Sequence, residues 1–279
     1  MHHDLPYAVN CSLLFTELPL LQRPDAAAAA GFNAVEFWWP WPDKPVPTDT
    51  EVDGFVAAVR DAGVSLIGLN FFAGDLAGPD CGVVSLPDQT GQFRDNVAVV
   101  VGIGEALGVP AFNALYGNRI LEVAAQQQDE VAAENLQFAA QAVAGWGGTV
   151  LVEPVSGPKP YPLRTADDVV AVLDRVSADN IAFLCDLFHL ANNGDDLDAA
   201  VSKHSARIGH VQIADHPGRH EPGTGALDLD RYLQQIQAAG YTGRVALEYL
   251  PSTTTLESLA WLSTERRGHT ATETKAKRP

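Results

Sequence analysis

Short, almost wholly apolar runs alternate along the chain with longer segments of helical periodicity. The runs lack the apolar–polar alternation of half-exposed strands, so they predict buried parallel strands. The eight runs are Tyr7–Ser12, Ala34–Phe37, Ser65–Asn70, Ala111–Asn113, Thr149–Glu153, Ile181–Asp186, Ile208–Gln212 and Arg244–Glu248. Helical patterns lie at Pro24–Ala30, Glu51–Ala62, Gln89–Leu107, Asp129–Trp146, Ala166–Ser177, Leu197–Lys203 and Leu229–Ala239, with a last one near Thr255–Arg266. This alternation of eight strands and eight helices predicts an α/β fold, a single (β/α)8 TIM barrel.

The two ends of the predicted barrel differ in their connections. Glycines that suit the left-handed residue ending a helix come just before five strands: Gly31, Gly63, Gly108, Gly147 and Gly240. The loops that leave the strands are longer and richer in Pro, Gly and polar residues, as in FFAGDLAGPDCGVVSLPD and ADHPGRHEPGTGALD. We therefore expect the functional rim at the carboxyl ends of the strands.

The chain length fits one barrel. With 279 residues, the chain is close to the ~250 residues of a typical TIM barrel, although two smaller domains would also fit. A doubly wound open sheet is the rival fold, and it is disfavoured because no GxGxxG follows the first strand. We assign residues 1–262 to the barrel. Residues 263–279 are polar and lack apolar periodicity, and we expect them to form a disordered tail.

Composition limits the kinds of partner. A formal net charge of −17 argues against binding to nucleic acid or to an anionic membrane surface. It does not exclude a small anionic substrate, because a metal ion and a few local cations can dominate the field in a pocket. Three cysteines without a CxxC pair fit a reducing cytoplasm. We find neither a signal peptide nor an apolar stretch long enough for a membrane span.

Four acidic or amide residues end successive apolar runs in the second half of the chain. They are Glu153, Asp186, Gln212 and Glu248, at intervals of 33, 26 and 36 residues, each the length of one βα unit. In a TIM barrel the ends of these strands converge. Three carboxylates and one amide form an all-oxygen site that suits Mg²⁺ or Mn²⁺. The alternative is that each residue merely caps its strand.

Glu153 and Glu248 are the candidate catalytic residues. They follow strands five and eight and would oppose each other across the barrel mouth. Two carboxylates that flank a hydroxycarbonyl compound suit removal of a proton from one carbon and its delivery to the neighbouring carbon. A metal would polarise the carbonyl and stabilise an enediolate.

Other polar residues near the predicted rim are candidates for substrate binding. His189 would lie in the loop after strand six, and Arg219 is the best candidate for holding a substrate carboxylate. Lys159 is a second candidate cation. Asn70 and Asn113 end strands three and four, and either could donate to substrate or cap its strand. Glu36 could contact the ligand or hold a network at the barrel mouth.

Two further groups have several interpretations. His210 shares the face of Gln212 one layer deeper in the barrel, which favours a supporting role. Trp38, Trp39 and Trp41 could wall the pocket, pack internally or contact another subunit of a homo-oligomer.

The chain resembles the hydroxypyruvate isomerase family of the xylose-isomerase-like barrel superfamily. The resemblance extends from about Tyr7 to Leu262. It includes AGFNAVEFWWP, FFAGDLAGPDCG, FNALYG, LVEPV, CDLFH, GHVQIADHPGRHEPGTGALD and LEYLPSTTT. By position it implies metal ligands at Glu153, Asp186, Gln212 and Glu248, with the two glutamates as the proton-transfer pair. Sugar epimerases of the superfamily have histidine at the position of Gln212 and glutamate at that of Lys159, so the resemblance favours the hydroxypyruvate branch.

The implied reaction converts hydroxypyruvate to 2-hydroxy-3-oxopropanoate (tartronate semialdehyde) without a nucleotide cofactor. A proton moves from C3 to C2, and Arg219 would hold the substrate carboxylate. A 2-oxo-tetronate isomerase, or another isomerase or epimerase of small sugars or sugar acids, is the nearest alternative. A DNA-repair endonuclease of the same barrel type would need a basic groove and several His ligands. A non-catalytic sugar-acid binding protein would not need the second glutamate.

Overall fold

Eight parallel strands close into a barrel in chain order, with β1 paired to β8. The computed structural model describes residues 2–157 and 160–268. The strands are β1 (Tyr7–Asn10), β2 (Ala34–Phe37), β3 (Ser65–Asn70), β4 (Ala111–Asn113), β5 (Thr149–Val152), β6 (Ile181–Asp186), β7 (Ile208–Ile213) and β8 (Val245–Leu247). The predicted TIM barrel is confirmed.

Helices surround the barrel. Within the described residues they are α1 (Arg23–Ala29), α2 (Asp49–Asp61), α3 (Thr90–Leu107), α4 (Ala125–Val143), α5 (Ala166–Leu173), α6 (Leu187–Asn193), α7 (Leu197–His204), α8 (Leu229–Ala238), α9 (Thr255–Ser258) and α10 (Thr264–Arg267). Capping boxes begin three of them, at Thr48, Thr165 and Thr254. In each, the threonine hydroxyl and an acidic side chain three residues later satisfy backbone N–H groups at the helix start.

The segment after β6 differs from the prediction. His189 was expected in a loop, but it lies in helix α6, which begins directly where the strand ends. The Asp186 side chain caps this helix by accepting a hydrogen bond from the His189 backbone N–H at 3.0 Å. Because Asp186 both ends the strand and caps the helix, there is no turn sequence to mark the boundary.

The expected start of the disordered tail is also corrected. The described part of that segment contains α10, whose two arginines tie it to the barrel. Arg267 donates to the carbonyls of Ala30, Leu259 and Leu262, and Arg266 donates to the carbonyl of His3 at 2.8 Å. The single helix expected near Thr255–Arg266 is therefore divided into α9 and α10, and the second of them lies within the segment expected to be disordered. Residues 269–279 lie outside the described residues.

The core occupies the barrel interior and the layer between the strands and the helices. Strands β1, β2, β4 and β8 are buried at every position, as the continuous apolar runs predicted. Between α3 and the barrel, the Phe112 ring packs edge-on against the Trp146 ring, with centroids 5.9 Å apart. Gly104 of α3 lies against both rings. No helix among the described residues is long and apolar enough to cross a membrane.

A matched pair of glycine substitutions in α3 tests this packing. A Cβ at Gly104 would lie 2.5 Å from Trp146 Cζ2 and 2.8 Å from Phe112 Cζ, whereas one at Gly102 meets nothing within 4 Å. We expect Gly104→Ala to lower the free energy of unfolding by about 1–3 kcal/mol through overpacking. Gly102→Ala should raise it by about 0.5–1 kcal/mol, because alanine favours the helix. Urea denaturation measures both, and equal effects would contradict this packing.

Candidate active site

The four candidate metal ligands are all buried at the carboxyl ends of the strands. Their exposed fractions are 5% for Glu153, 1% for Asp186, 3% for Gln212 and 4% for Glu248. Asp186 and Gln212 are register partners on β6 and β7. Glu153 and Asp186, together with His189, each offer an atom within 4.8 Å of the others. Strand geometry thus gathers side chains that are far apart in sequence.

A cavity of about 310 Å³ opens beside these residues, and we call it the inner chamber. Its lining includes Glu153, Glu248, His189 and Arg219, together with Asn70 and Trp38. Acidic, basic and amide groups therefore share one small space with apolar walls. Such a combination is typical of a site for a small polar ligand.

Two oxygens in this region fit a bound cation. Gln212 Oε1 and Glu248 Oε2 are buried, and neither has a hydrogen-bond partner among the described residues. Buried polar atoms without a partner are rare in folded proteins. A hard divalent cation would satisfy both oxygens and would offset the charge of the neighbouring carboxylates. The donor set therefore fits a hard divalent cation.

Glu36 orients the Gln212 amide by accepting a hydrogen bond from its nitrogen. Glu36 Oε1 accepts hydrogen bonds from Gln212 Nε2 at 2.8 Å and from Asn10 Nδ2 at 2.9 Å, while His210 Nε2 lies 2.7 Å from Oε2. A carboxylate only accepts, so it requires the NH₂ of Gln212 and turns Oε1 away from itself. Of the two roles expected for Glu36, these contacts favour the network. His210 has the supporting position expected of it.

Trp38 and Arg219 position Glu248. The Trp38 indole donates to Glu248 Oε1 at 2.7 Å, and Arg219 Nη2 donates to the same oxygen at 3.2 Å. The guanidinium of Arg219 lies 5.3 Å from the centre of the Phe188 ring, and its buried Nε has no partner among the described residues. Arg219 therefore retains a donor for a ligand. Trp39 and Trp41 pack on each other, with centroids 5.1 Å apart, so only Trp38 contributes to the chamber wall.

His189 acts in this arrangement as a donor. The backbone N–H of Ser156 donates to His189 Nδ1 at 3.0 Å, so this nitrogen carries no proton. Burial lowers the pKa of His189 to about 4, which leaves the ring neutral at pH 7 with its proton on Nε2. Nε2 lies 3.8 Å from Asp186 Oδ2. A protonated nitrogen cannot bind a metal, so His189 is suited to donate to a substrate oxygen rather than to serve as a third ligand.

The other residues predicted to contact substrate do not all lie at the inner chamber. Asn113 Nδ2 donates to Glu153 Oε1 at 2.6 Å and so orients that carboxyl group. Asn70 is 6% exposed and lines the inner chamber. Lys159 lies outside the described residues. The structure thus brings His189, Arg219 and Asn70 to the chamber and places Glu36 and Asn113 behind other site residues.

The two glutamates have raised pKa values in the metal-free protein. Burial, with the Asp186 carboxylate adding to it, raises the pKa of Glu153 to about 8, although the Asn113 amide opposes the shift. Burial raises the pKa of Glu248 well above its ordinary value, against the lowering effect of Arg219. Glu153 and Glu248 therefore tend to hold protons until a cation neutralises the site.

Asp215 organises the loop that carries Arg219, and the sequence analysis missed it. Its carboxylate is 1% exposed and accepts backbone N–H bonds from His216 at 2.8 Å, Gly223 at 2.8 Å and Leu227 at 3.1 Å. Its backbone carbonyl accepts from Arg219, which has a left-handed φ of 59°. An aspartate directly after a strand, before the glycine- and proline-rich HPGRHEPG, was the available signal.

The family model of xylose isomerase-like TIM barrels matches residues 24–265. A Streptomyces coelicolor protein with the provisional name hydroxypyruvate isomerase is 49% identical over 93% of this chain and 96% of its own length. The chain belongs to the hydroxypyruvate isomerase family of these barrels. The expected resemblance is thereby confirmed, and relatives in this family are named as isomerases.

Two further proteins are similar to this chain over most of its length. A 2-oxo-tetronate isomerase of Cupriavidus necator is 31% identical, with 92% of this chain and 96% of the relative covered. A crystal structure described as an AP endonuclease, family 2, from Brucella melitensis superposes with a TM-score of 0.83 at 31% identity, covering 92% of this chain and 98% of that chain. The fold and most of the chain length are therefore shared across these relatives.

The raised pKa of Glu153 predicts how the stability of the metal-free protein depends on pH. Folding raises this pKa from 4.5 to about 8, so between these values the folded state binds more protons than the unfolded state. Stability from this group therefore falls as pH rises through that window. With chelator present, the Tm of the wild type minus that of Glu153→Gln should decrease steadily with pH. A constant difference would contradict the assigned proton.

Proposed function

We propose that the protein is a metal-dependent hydroxypyruvate isomerase that interconverts hydroxypyruvate and 2-hydroxy-3-oxopropanoate (tartronate semialdehyde). The observation that carries this proposal is the pair of buried, proton-holding glutamates, Glu153 and Glu248, beside the Arg219 guanidinium in one small chamber. The reaction moves one proton between adjacent carbons of a carboxylate-bearing substrate. It therefore needs two proton carriers and a cation.

Glu153, Asp186, Gln212 and Glu248 would hold the metal, which we assign as Mg²⁺ or Mn²⁺. The unpartnered buried oxygens of Gln212 and Glu248 support this ligand set. When bound, the cation would supply Lewis-acid polarisation of the substrate carbonyl and would lower the pKa of the glutamates. Nucleotide cofactors have no role in this chemistry.

The side chains of the chain itself account for the remaining steps. One glutamate removes the proton from C3 and the other delivers a proton to C2, so the substrate passes through an enediolate. The proton of the C3 hydroxyl passes to the C2 oxygen, so that C3 becomes the aldehyde and C2 carries the hydroxyl. Neutral His189 donates its Nε2 proton in a hydrogen bond to a substrate oxygen. Arg219 binds the substrate carboxylate through the donors that Glu248 does not use, and the Asp215-ordered loop keeps it in place.

A 2-oxo-tetronate isomerase is the alternative that a specific relative favours, and it needs the same side-chain roles. Other sugar or sugar-acid isomerases and epimerases would also use the pair of glutamates. The Brucella neighbour's description names an endonuclease, but a net charge of −17 disfavours a nucleic-acid substrate. A non-catalytic binding protein would have no use for two opposed proton carriers. We place the enzyme in the cytoplasm because its three cysteines are buried and unpaired.

The reaction is tested by proton NMR of chelator-treated protein with hydroxypyruvate in D₂O, with and without Mg²⁺ or Mn²⁺. We expect metal-dependent formation of the semialdehyde with deuterium at C2. Glu153→Gln and Glu248→Gln should each lower the rate by at least about 100-fold, because each removes a proton carrier. Glu105→Gln, an exposed substitution on α3, is the matched control.

Three outcomes would contradict the proposal. Turnover of 2-oxo-tetronate but not of hydroxypyruvate would favour the alternative. Full activity in either glutamine variant would remove that residue from the proton-transfer pair. Binding of both acids without turnover of either would indicate a binding protein.

The Glu36 network predicts a change in metal affinity that does not depend on turnover. A glutamine at position 36 can donate as well as accept, so the Gln212 amide would lose its fixed orientation. We expect Glu36→Gln to weaken Mn²⁺ binding about 10–100-fold, the usual effect of removing a partner that orients a ligand. Isothermal titration calorimetry of the metal-free protein measures this.

A second background separates orientation from charge. In Gln212→Ala, Glu36→Gln should cause little further loss of affinity, because there is no amide left to orient. A loss of equal size in both backgrounds would mean that only the negative charge of Glu36 matters, and it would overturn the orienting role.

A further inference from the structure

Two loops that carry site residues meet beside the inner chamber. The first loop follows β7, spans residues 215–227 and carries Arg219, and the second follows β8 and begins with Glu248. The hydrogen bonds of Asp215 described above join residues of the first loop to one another. Asp215 therefore fixes the shape of the first loop, whereas its position relative to Glu248 depends on contacts between the two loops.

Three consecutive residues of the first loop bond to the second loop. The backbone carbonyl of Arg219 accepts from the Leu250 N–H at 2.8 Å, and His220 Nδ1 lies 2.7 Å from the Leu250 carbonyl oxygen. The Glu221 carboxylate accepts from the Ser252 backbone N–H at 3.1 Å and also from the Ser252 hydroxyl. We call this set of hydrogen bonds the loop clasp.

His220 is the side-chain donor at the centre of the loop clasp. A carbonyl oxygen only accepts, so Nδ1 carries a proton and donates it to Leu250. The preceding loop residue leaves room for the ring, because a Cβ at Gly218 would lie 2.9 Å from His220 Cδ2. The imidazole thus connects the neighbour of Arg219 to a residue two positions after Glu248.

The backbone of Arg219 needs such support. Its φ of 59° is left-handed, a conformation that a residue other than glycine retains only when its surroundings hold it. The guanidinium donates to Glu248 Oε1 at 3.2 Å. Because the loop clasp joins the residues next to both side chains, it fixes the distance between the guanidinium and the Glu248 carboxyl group.

We infer that His220 is a positioning residue, whose hydrogen bond to Leu250 places the Arg219 guanidinium to receive the substrate carboxylate. This inference rests on the proposed isomerase function and assigns it a residue behind Arg219. The substrate carboxylate is unchanged while bonds change at C2 and C3, so Arg219 contributes equally to binding of the substrate and of the transition state. Loss of its position should therefore raise KM and leave kcat unchanged.

The test compares removal of the donor with its replacement. His220→Ala should raise KM for hydroxypyruvate about tenfold, the most that one such hydrogen bond contributes, with kcat within about twofold of wild type. His220→Asn should restore most of the loss, because the side-chain amide again offers an N–H. Steady-state kinetics with saturating Mn²⁺ measure both constants, and KM does not depend on the fraction of folded enzyme.

A matched control separates positioning from general stability of the loop. Thr224 Oγ1 donates to the Glu221 carbonyl at 2.7 Å, within the first loop. Thr224→Val therefore removes a hydrogen bond of the same length without loosening the loop clasp, and its KM should remain that of the wild type.

The possible results separate this inference from the proposed function. An unchanged KM in His220→Ala, an equal rise in Thr224→Val, or no recovery in His220→Asn would each overturn the positioning role and leave the proposed function standing. A loss confined to kcat would also overturn it. If the wild type does not isomerise hydroxypyruvate, the proposed function is wrong and the inference falls with it.

Discussion

Negative charge buried at one barrel mouth is the constraint that shapes the rest of the site. Glu36, Glu153, Asp186 and Glu248 are each at most 5% exposed. An ionised carboxylate out of water costs several kcal/mol unless it is paired or hydrogen-bonded. Three features of the surroundings offset this cost. Amide and indole groups donate hydrogen bonds to the carboxylates, a guanidinium approaches from a loop, and Glu153 and Glu248 keep their protons in the absence of metal.

The same hydrogen bonds also determine which side-chain atoms remain available to a ligand. Glu36 engages the nitrogen of Gln212 and leaves its oxygen without a partner. Trp38 and Arg219 occupy one oxygen of Glu248 and leave the other. Ser156 occupies Nδ1 of His189 and leaves Nε2 with its proton. In each case the supporting hydrogen bond, rather than the side-chain type alone, determines which atom remains for a ligand.

The same local chemistry is compatible with the different acids for which relatives of this chain are named. Members named for a three-carbon and for a four-carbon acid share most of their length with this chain. Under the proposed function the reacting part of both acids would be the same, so the same two glutamates and one guanidinium would serve either.

The barrel and most of the candidate site could be predicted from the amino-acid sequence alone. Buried parallel strands need continuous apolar runs, so the number and order of the strands can be read from the sequence. A polar residue at the carboxyl end of such a run must lie at the mouth of the barrel. Helix α6 escaped prediction because a capping residue shared with β6 defines its start. The single helix expected near Thr255–Arg266 is two short helices, α9 and α10. The support that Glu36 gives Gln212 and the ordering of the Arg219 loop by Asp215 become visible only in the folded protein. Those facts depend on distances between strands and loops remote in sequence, and no local pattern encodes a distance across a barrel.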